Sequence, residues 1–233
     1  LGEAIGVDEL IYYMFSDRHR QKPDPDRRYD RIYIGGDYGQ QNATTFEAFG
    51  LDTYRKKFPG LGEYYHSGRE SGRQKSPSEY ARDLVEFMDG LHEQYENRIF
   101  YIFLDPSAKG LAEEVRRATR TGLDYQVFLR DAENDVALGI SRVQKALVFD
   151  IMSISPKQEY AVQEFGTYEY DKKSIEKGKE VPVKEADHCM DAIRYVVMGA
   201  WSNIKHWLPL DIEDDVNIGD IGSREVREED EYL

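Results

Sequence analysis

The order of short apolar runs along the chain limits its fold more than any other sequence feature. Three strand-like runs come first, and the turn-forming residues between them favour an antiparallel meander. Helix-like and strand-like patterns then alternate. This order predicts an α/β fold in which a mixed central sheet is flanked by helices, and other mixed layouts remain open. The strand-like runs lie at 31–36, 44–51, 62–67, 99–104 and 125–129, and the helix-like runs lie at 76–91, 111–119 and 137–147.

The region after these elements contains a candidate hairpin and the clearest helical pattern of the chain. A short strand at 148–154 and a helix near 156–164 come first. Strand-like residues at 166–170 and 180–183 then flank a lysine-rich turn, and an amphipathic helix is predicted over 185–201. The complete order is that of a ribonuclease H-like mixed central sheet flanked by helices, with an additional hairpin on its C-terminal side.

The sequence divides into a central domain and two terminal segments. Residues 1–28 hold one apolar cluster and then a charged, proline-containing run, so they are interpreted as a linker or a docked arm. Residues 29–208 form the predicted domain, which is long enough to bury one sizeable core. Residues 209–233 form an acidic tail that we predict to be disordered. The start at Leu1 rather than at methionine is consistent with a fragment or a processed product of a longer protein.

Negative charge is concentrated in the acidic tail. The formal net charge of −14 disfavours contact with nucleic-acid phosphates, but residues 211–233 contribute −8 and the rest of the chain only −6. The tail could be a solvated end or an interaction segment for a protein partner, and both interpretations stay open. The single cysteine, Cys189, excludes an intrachain disulfide framework and a multi-cysteine zinc site. No run approaches the roughly 18 apolar residues of a membrane span.

Two aspartates stand where strand-like runs end. Asp37 follows the first strand and Asp105 follows the fourth. Because the carboxyl ends of parallel strands meet at one edge of a sheet, we expect these carboxylates to lie close together. In the last predicted helix, Asp187, His188 and Asp191 have the spacing that places them on one face. Each of these residues also has a purely structural interpretation, as a turn former, a helix-dipole partner or a surface residue.

Carboxylates gathered at one edge of a sheet predict a metal site. Clustered carboxylates repel one another, so their pKa values rise unless a cation neutralises them. Oxygen ligands suit Mg²⁺ or Mn²⁺, and two such ions about 4 Å apart support phosphodiester hydrolysis without a side-chain nucleophile. His188 could be a ligand or could donate a proton to the leaving oxygen. The candidate ligands are Asp37, Asp105, Asp191, Asp187 and His188.

Three segments resemble the nuclease domain of tailed-phage terminase large subunits. They are Gly-Asp-Tyr-Gly-Gln-Gln-Asn-Ala-Thr-Thr at 36–45, Phe-Leu-Asp-Pro-Ser at 103–107 and Asp-His-Cys-Met-Asp-Ala-Ile-Arg-Tyr at 187–195. The resemblance implies a ribonuclease H-like endonuclease that cuts concatemeric viral DNA to begin and end packaging. It also implies that Asp37, Asp105 and Asp191 form the metal-binding triad, with His188 and Asp187 as accessory residues.

The resemblance extends over about residues 30–202 and implies a set of partners. They are double-stranded DNA, a terminase ATPase domain, a small terminase subunit and a portal, all in the cytoplasm of the infected bacterial host; no membrane partner is implied. The chain lacks the phosphate-loop pattern Gly-x-x-x-x-Gly-Lys-Ser/Thr, so ATP hydrolysis is not predicted for it. This departure suggests an excised or separately made C-terminal domain, with residues 1–28 as the remnant of a linker.

Contact with DNA requires positive charge, and three basic groups are candidates. They are Arg55, Lys56 and Lys57; Arg69, Arg73 and Lys75; and Lys172, Lys173, Lys177, Lys179 and Lys184. The lysine group is favoured because the predicted hairpin would deliver it next to Asp191, where a mobile hairpin could gate the cleft. Charged turns are also commonly just solvated surface.

Two other readings of the sequence stay open. A ribonuclease H-like fold also suits a junction resolvase, an integrase-like transferase or an RNA-cleaving enzyme, and the residues separate these poorly. A module of another class would keep the fold with weak or no catalysis and dock onto a portal or capsid through the acidic tail.

Overall fold

Six strands form one mixed sheet in the computed structural model, which describes residues 10–39, 42–177, 179–209 and 212. The order across the sheet is β5-β4-β1-β2-β3-β6. Strand β2 runs antiparallel to β1 and β3, whereas β1, β4 and β5 run parallel to one another, as do β3 and β6. The mixed central sheet that the sequence predicts is confirmed. The strands are β1 (Arg31–Tyr38), β2 (Ala43–Leu51), β3 (Phe58–Ser67), β4 (Ile99–Leu104), β5 (Gln126–Asp131) and β6 (Met152–Ser153).

Helices cover both faces of this sheet. They are α1 (Gly68–Ser71), α2 (Pro77–Tyr95), α3 (Lys109–Ala118), α4 (Val136–Val148), α5 (Glu159–Phe165), α6 (Lys172–Ile175) and α7 (His188–Ile204). Helix α2 begins as its sequence predicts, because Ser76 and Glu79 each accept the backbone amide of the other in a capping box. One buried apolar cluster lies between the sheet and α2 with α3, and the other between the sheet and α4, α5 and α7. No helix in the described part of the chain has both the length and the apolar character needed to cross a membrane.

Three element boundaries differ from the sequence expectation. Strand β3 begins at Phe58 rather than at residue 62, because Asp52 and Lys57 exchange two backbone hydrogen bonds and close the turn earlier. The strand expected over 148–154 shrinks to β6, since α4 continues to Val148. Helix α7 begins at His188 and not at residue 185, because Ala186 has a φ of 49° and a left-handed residue cannot continue a helix.

The segment before the sheet is docked onto the domain over its described part. Ile11 and Tyr12 lie in the apolar cluster beneath α7, and the amide of Ile11 donates to the carbonyl of Tyr168. Further along, the amide of Gln21 donates to the carbonyl of Ile154. Of the two interpretations of this segment, a docked arm describes residues 10–21, while the boundaries at 28 and 208 stay predictions.

The predicted additional hairpin stays a prediction. Tyr170 and Pro182 form an isolated antiparallel bridge, and the short helix α6 occupies part of the turn between them. Gly178 in that turn lies outside the described residues, as does most of the acidic tail at 209–233.

Candidate active site

Helix α7 lies directly on the backbone of β1, which fixes the geometry of the candidate site. A Cβ atom on Gly35 would stand 1.9 Å from the carbonyl oxygen of Ala192, so only glycine permits this approach. Gly199, further along α7, packs on the ring of Phe103 in the same way. The contact sets Asp191, next to Ala192, beside the end of β1 that carries Asp37.

Asp37 is the penultimate residue of β1 and contacts α7 through His188. The Nδ1 atom of His188 lies 2.7 Å from Oδ2 of Asp37. Burial raises the pKa of Asp37, the hydrogen bond from His188 lowers it, and the charges of Asp191 and Asp105 raise it again. The same hydrogen bond raises the pKa of His188, which favours an imidazolium paired with a carboxylate. The three sequence-predicted aspartates therefore act on one another electrostatically.

Asp105 follows β4, the parallel neighbour of β1, and is held by several donors. Its Oδ1 accepts the backbone amide of Ser107 at 2.7 Å. Its Oδ2 accepts the hydroxyl of Tyr195 at 2.9 Å and the side-chain amide of Asn134 at 3.1 Å. Burial acts to raise the pKa of Asp105, but the hydrogen bonds from Ser107 and Tyr195 outweigh it and lower the pKa. Asp105 is therefore ionised and oriented.

Asp191 lies in the first turn of α7 and pairs with an arginine of the same helix. Nη2 of Arg194 lies 2.6 Å from Oδ1 of Asp191, and the Arg194 side chain is fully buried. Burial disfavours the charged guanidinium, but the charge of Asp191 outweighs that cost and raises the pKa of Arg194. A buried cation thus balances this carboxylate from within the protein.

The expectation that Asp187 lies within the last helix is wrong. Asp187 is the residue before α7, and its side chain makes no capping hydrogen bond. It is nevertheless buried near the other acidic residues. Burial raises the pKa of Asp187, and the charge of Asp191 raises it further, whereas His188 and Lys184 lower it. The structure therefore brings Asp187 close to Asp191 and His188, although not through the helical spacing that we used.

The basic candidates fall in two different parts of the molecule. Lys184 acts on Asp187 at the candidate site, and Lys172 and Lys173 belong to α6 in the segment that leads to it. Lys177 and Lys179 lie on either side of the undescribed Gly178. Residues 55–57 lie in the turn after Leu51, which pairs with Arg31 at the opposite end of β1 from Asp37. Six residues of strand place that turn about 20 Å from the carboxylates.

Residues 69, 73 and 75 lie beyond β3, on the same side of the sheet as Asp37. They precede α2, and two of them are occupied by acidic partners. Arg73 pairs with Glu79, and Nζ of Lys75 lies 2.6 Å from Asp83. The exposed Arg69 belongs to α1.

Four residues that support the site were not found from the sequence. Tyr195 and Asn134 hold Asp105, and Arg194 holds Asp191. Glu164 at the end of α5 accepts the backbone amides of Cys189 at 2.8 Å and Met190 at 3.1 Å, which caps the start of α7. The available signals were the position of Tyr195 one helical turn after Asp191 and the position of Asn134 just beyond a third parallel strand. Nothing local in the sequence indicates the role of Glu164.

A second acidic cluster lies deeper, beside the candidate site. Among the described residues, Glu47, Glu63 and Cys189 are the group whose ligand atoms all lie within 4.8 Å of one another, a limit that the three aspartates do not meet. Glu47 is fully buried, and its two oxygens accept hydrogen bonds from Thr45 and Gln158. Burial raises the pKa of Glu47, and the charge of Glu63 raises it further, so this carboxyl is neutral. The cluster is a hydrogen-bonded part of the core, since a hard divalent cation requires charged or water-accessible oxygens.

Comparison with solved structures identifies the same fold in terminases. The full-length large terminase of a thermophilic bacteriophage, solved in complex with ATP-gamma-S, is 33% identical with a TM-score of 0.70; the match covers 81% of this chain and 45% of that one. The P22 large terminase nuclease domain is 16% identical with a TM-score of 0.60, over 82% and 92% of the two chains. The nuclease of the large terminase from thermophilic phage G20c is 16% identical with a TM-score of 0.54, over 81% and 96%.

The extent of these matches limits what they show. No protein-family model and no curated protein matches the chain. The chain spans less than half the length of the large terminase solved with ATP-gamma-S, while it covers nearly all of the two separate nuclease domains. The resemblance expected from the sequence is confirmed: the chain has the ribonuclease H-like fold of the terminase large-subunit nuclease domain.

Proposed function

We propose that the chain is an endonuclease that cuts double-stranded viral DNA during genome packaging and that it uses two divalent cations, Mg²⁺ or Mn²⁺. The observation that carries this proposal is the arrangement of Asp37, Asp105 and Asp191 around Tyr195 at one edge of the sheet. Burial raises the pKa of Tyr195, and the charges of all three aspartates raise it further. The similarity to the large terminase solved with ATP-gamma-S supports the same activity, and the G20c nuclease was solved with bound cobalt.

The donors of the site fit a pair of hard divalent cations. Asp37, Asp105 and Asp191 are partly exposed, and all are oxygen donors, as such ions prefer. Ligands that serve two ions about 4 Å apart need not all lie within the radius of one ion. Asp37 and Asp191 each have one oxygen bonded within the protein, which leaves the other as the proposed metal-facing oxygen. Asp187 and His188 are accessory candidates beside them.

Each residue of the site has a separate part in the proposed reaction. When bound, the two cations activate a water molecule and stabilise the leaving oxygen. The aspartates hold the ions, and Arg194 keeps the carboxylate of Asp191 in place. His188 is a proton donor for the leaving oxygen, because its imidazolium is stabilised by Asp37 at the edge of the site.

The proposed DNA path runs over the lysines that precede α7. Lys184 lies within electrostatic reach of Asp187, and Lys172 and Lys173 extend positive charge along the same segment. Such charges would offset the repulsion between phosphates and the acidic chain. Residues 55–57 are outside this path because they lie at the far end of the sheet. By similarity to terminases, the partners proposed are an ATPase domain, a small subunit and a portal, in the host cytoplasm.

Plasmid cleavage with Mn²⁺ or Mg²⁺ tests the proposal. Asp37→Ala, Asp105→Ala and Asp191→Ala should each reduce cutting by more than the roughly 10–100-fold that loss of an outer-shell partner causes. Asp17→Ala is the matched control, since the side chain of Asp17 is 96% exposed on the N-terminal segment. Folding of each variant is checked by circular dichroism.

Two results would contradict the proposal. Equal cutting by the three variants and the control would exclude the triad as the metal site. Stronger cutting of branched DNA or of an RNA–DNA hybrid than of duplex DNA would indicate a resolvase or an RNA-cleaving enzyme of the same fold.

A further inference from the structure

Helix α7 donates a hydrogen bond to each of the three carboxylates. His188 reaches Asp37 at 2.7 Å, Arg194 reaches Asp191 at 2.6 Å, and the hydroxyl of Tyr195 reaches Asp105 at 2.9 Å. Two of these donors carry charge, whereas the third is neutral. The contact of Tyr195 differs in another way, because it joins α7 to a carboxylate that follows a different element, β4.

The environment of Asp105 makes Tyr195 the buried part of a clamp. Tyr195 is 2% exposed and Asn134, the second donor to Oδ2, is exposed. The hydroxyl of Tyr195 also lies 3.5 Å from the amide oxygen of Asn134, so the three side chains form a small closed set. With Ser107 on Oδ1, both oxygens of Asp105 are oriented, and Oδ1 retains a lone pair.

Packing alone does not require the hydroxyl of a buried tyrosine in this protein. Tyr95 is 1% exposed, and its hydroxyl has no hydrogen-bond partner among the described residues. A phenylalanine would occupy the same space at either position. The oxygen of Tyr195 therefore has a specific partner, and that partner is a proposed metal ligand.

We propose that Tyr195 is a positioning residue that sets the carboxylate of Asp105 relative to Asp191. Asp191 and Tyr195 are one turn apart on α7, so a single rigid helix holds one proposed ligand and orients another. The strand end alone does not fix the rotamer of Asp105, because it follows β4 at the start of a loop. This inference rests on the proposed function, since it assigns Asp105 to the metal site.

Tyr195→Phe, with Tyr95→Phe as the matched control, tests the assignment in the full chain. Mn²⁺ affinity is measured by isothermal titration calorimetry, and thermal unfolding is measured without metal. Tyr195→Phe should weaken Mn²⁺ binding by about 10–100-fold, as expected for an outer-shell partner of a ligand. Tyr95→Phe should bind Mn²⁺ as the unaltered chain does. Asn134→Ala, at an exposed position, should weaken binding less, because Tyr195 remains.

Each outcome decides between the two levels of the proposal. Mn²⁺ binding by Tyr195→Phe that equals binding by Tyr95→Phe, while Asp105→Ala loses binding, overturns the role of Tyr195 and leaves the proposed function intact. An unaltered chain that binds no Mn²⁺ overturns the proposed function itself. If Tyr195→Phe does not fold, Asn134→Ala decides: affinity unchanged from the unaltered chain overturns the clamp, and a several-fold loss supports it.

Discussion

Glu164→Gln should make the stability of the protein less dependent on pH. The carboxyl of Glu164 is 7% exposed, and a single oxygen, Oε2, accepts both backbone amides at the start of α7. A glutamine oxygen can accept the same two amides, so the cap is retained while the charge is removed. The substitution therefore isolates the cost of an ionised carboxylate at this buried position.

The size of the effect follows from the pKa of Glu164. Burial raises this pKa from 4.5 to about 8, although the amides of Cys189 and Met190 act in the opposite direction. A raised folded-state pKa means that the stabilising contribution is complete below about pH 4.5 and is lost as pH rises through 8. The loss reaches about 5 kcal/mol, because each pKa unit corresponds to about 1.4 kcal/mol. Glutamine does not titrate, so the free energy of unfolding of the variant should gain on that of the unaltered chain over this range.

Urea unfolding at a series of pH values measures the difference directly. Trp201 and Trp207, at the end of α7 and just beyond it, report unfolding by fluorescence. EDTA is present throughout, since a bound cation would alter the field near α7. Glu113→Gln is the matched control, because the Glu113 side chain is 55% exposed and its titration should contribute little.

A constant difference between Glu164→Gln and the unaltered chain would refute this reasoning. If the two free energies of unfolding run parallel between about pH 5 and pH 9, the pKa of Glu164 is not raised by burial. The carboxylate would then be a helix cap stabilised by its charge, and the dipole of α7 would outweigh desolvation.

Three further changes test the packing and the surface of the site. Gly35→Ala should destabilise the protein by about 3 kcal/mol or more in urea unfolding, because the added methyl group meets backbone of α7, whereas Gly90→Ala, in open space on α2, should stabilise it by about 0.5–1 kcal/mol. The thiol of Cys189, whose pKa is raised by burial, should not react with Ellman's reagent until the protein unfolds, and fast reaction of the native protein would contradict its position. Lys172→Glu combined with Lys173→Glu should weaken plasmid cutting most at low salt, and unchanged cutting would remove these lysines from the DNA path.

The strand ends that carry Asp37 and Asp105 could be predicted because their signals are local. An apolar run that stops at an acidic residue specifies both the strand and the position of the side chain beyond it. The capping box at Ser76 and Glu79 is equally local, and the helix begins where it predicts. Parallel pairing of β1 and β4 then follows from the order of elements.

The residues that hold the aspartates could not be predicted, because their partners are distant in sequence. Tyr195 and Asp105 are 90 positions apart, and Glu164 reaches Cys189 across 25. Periodicity assigns such residues to a buried face without saying which polar atom each one meets. The start of α7 was missed for a different reason, since the left-handed backbone of Ala186 has no signal in a residue that normally favours helix.

The distribution of donors around the three carboxylates explains how the site can form before it holds a metal. Three ionised aspartates in one partly buried place would repel one another and oppose folding. The imidazolium of His188 balances Asp37 and the guanidinium of Arg194 balances Asp191, so two of the charges are neutralised by the protein itself. Asp105 has only neutral donors, and its lowered pKa keeps it ionised. The remaining negative charge is thus concentrated at Asp105, which makes its orientation by Tyr195 the feature on which entry of a cation most depends.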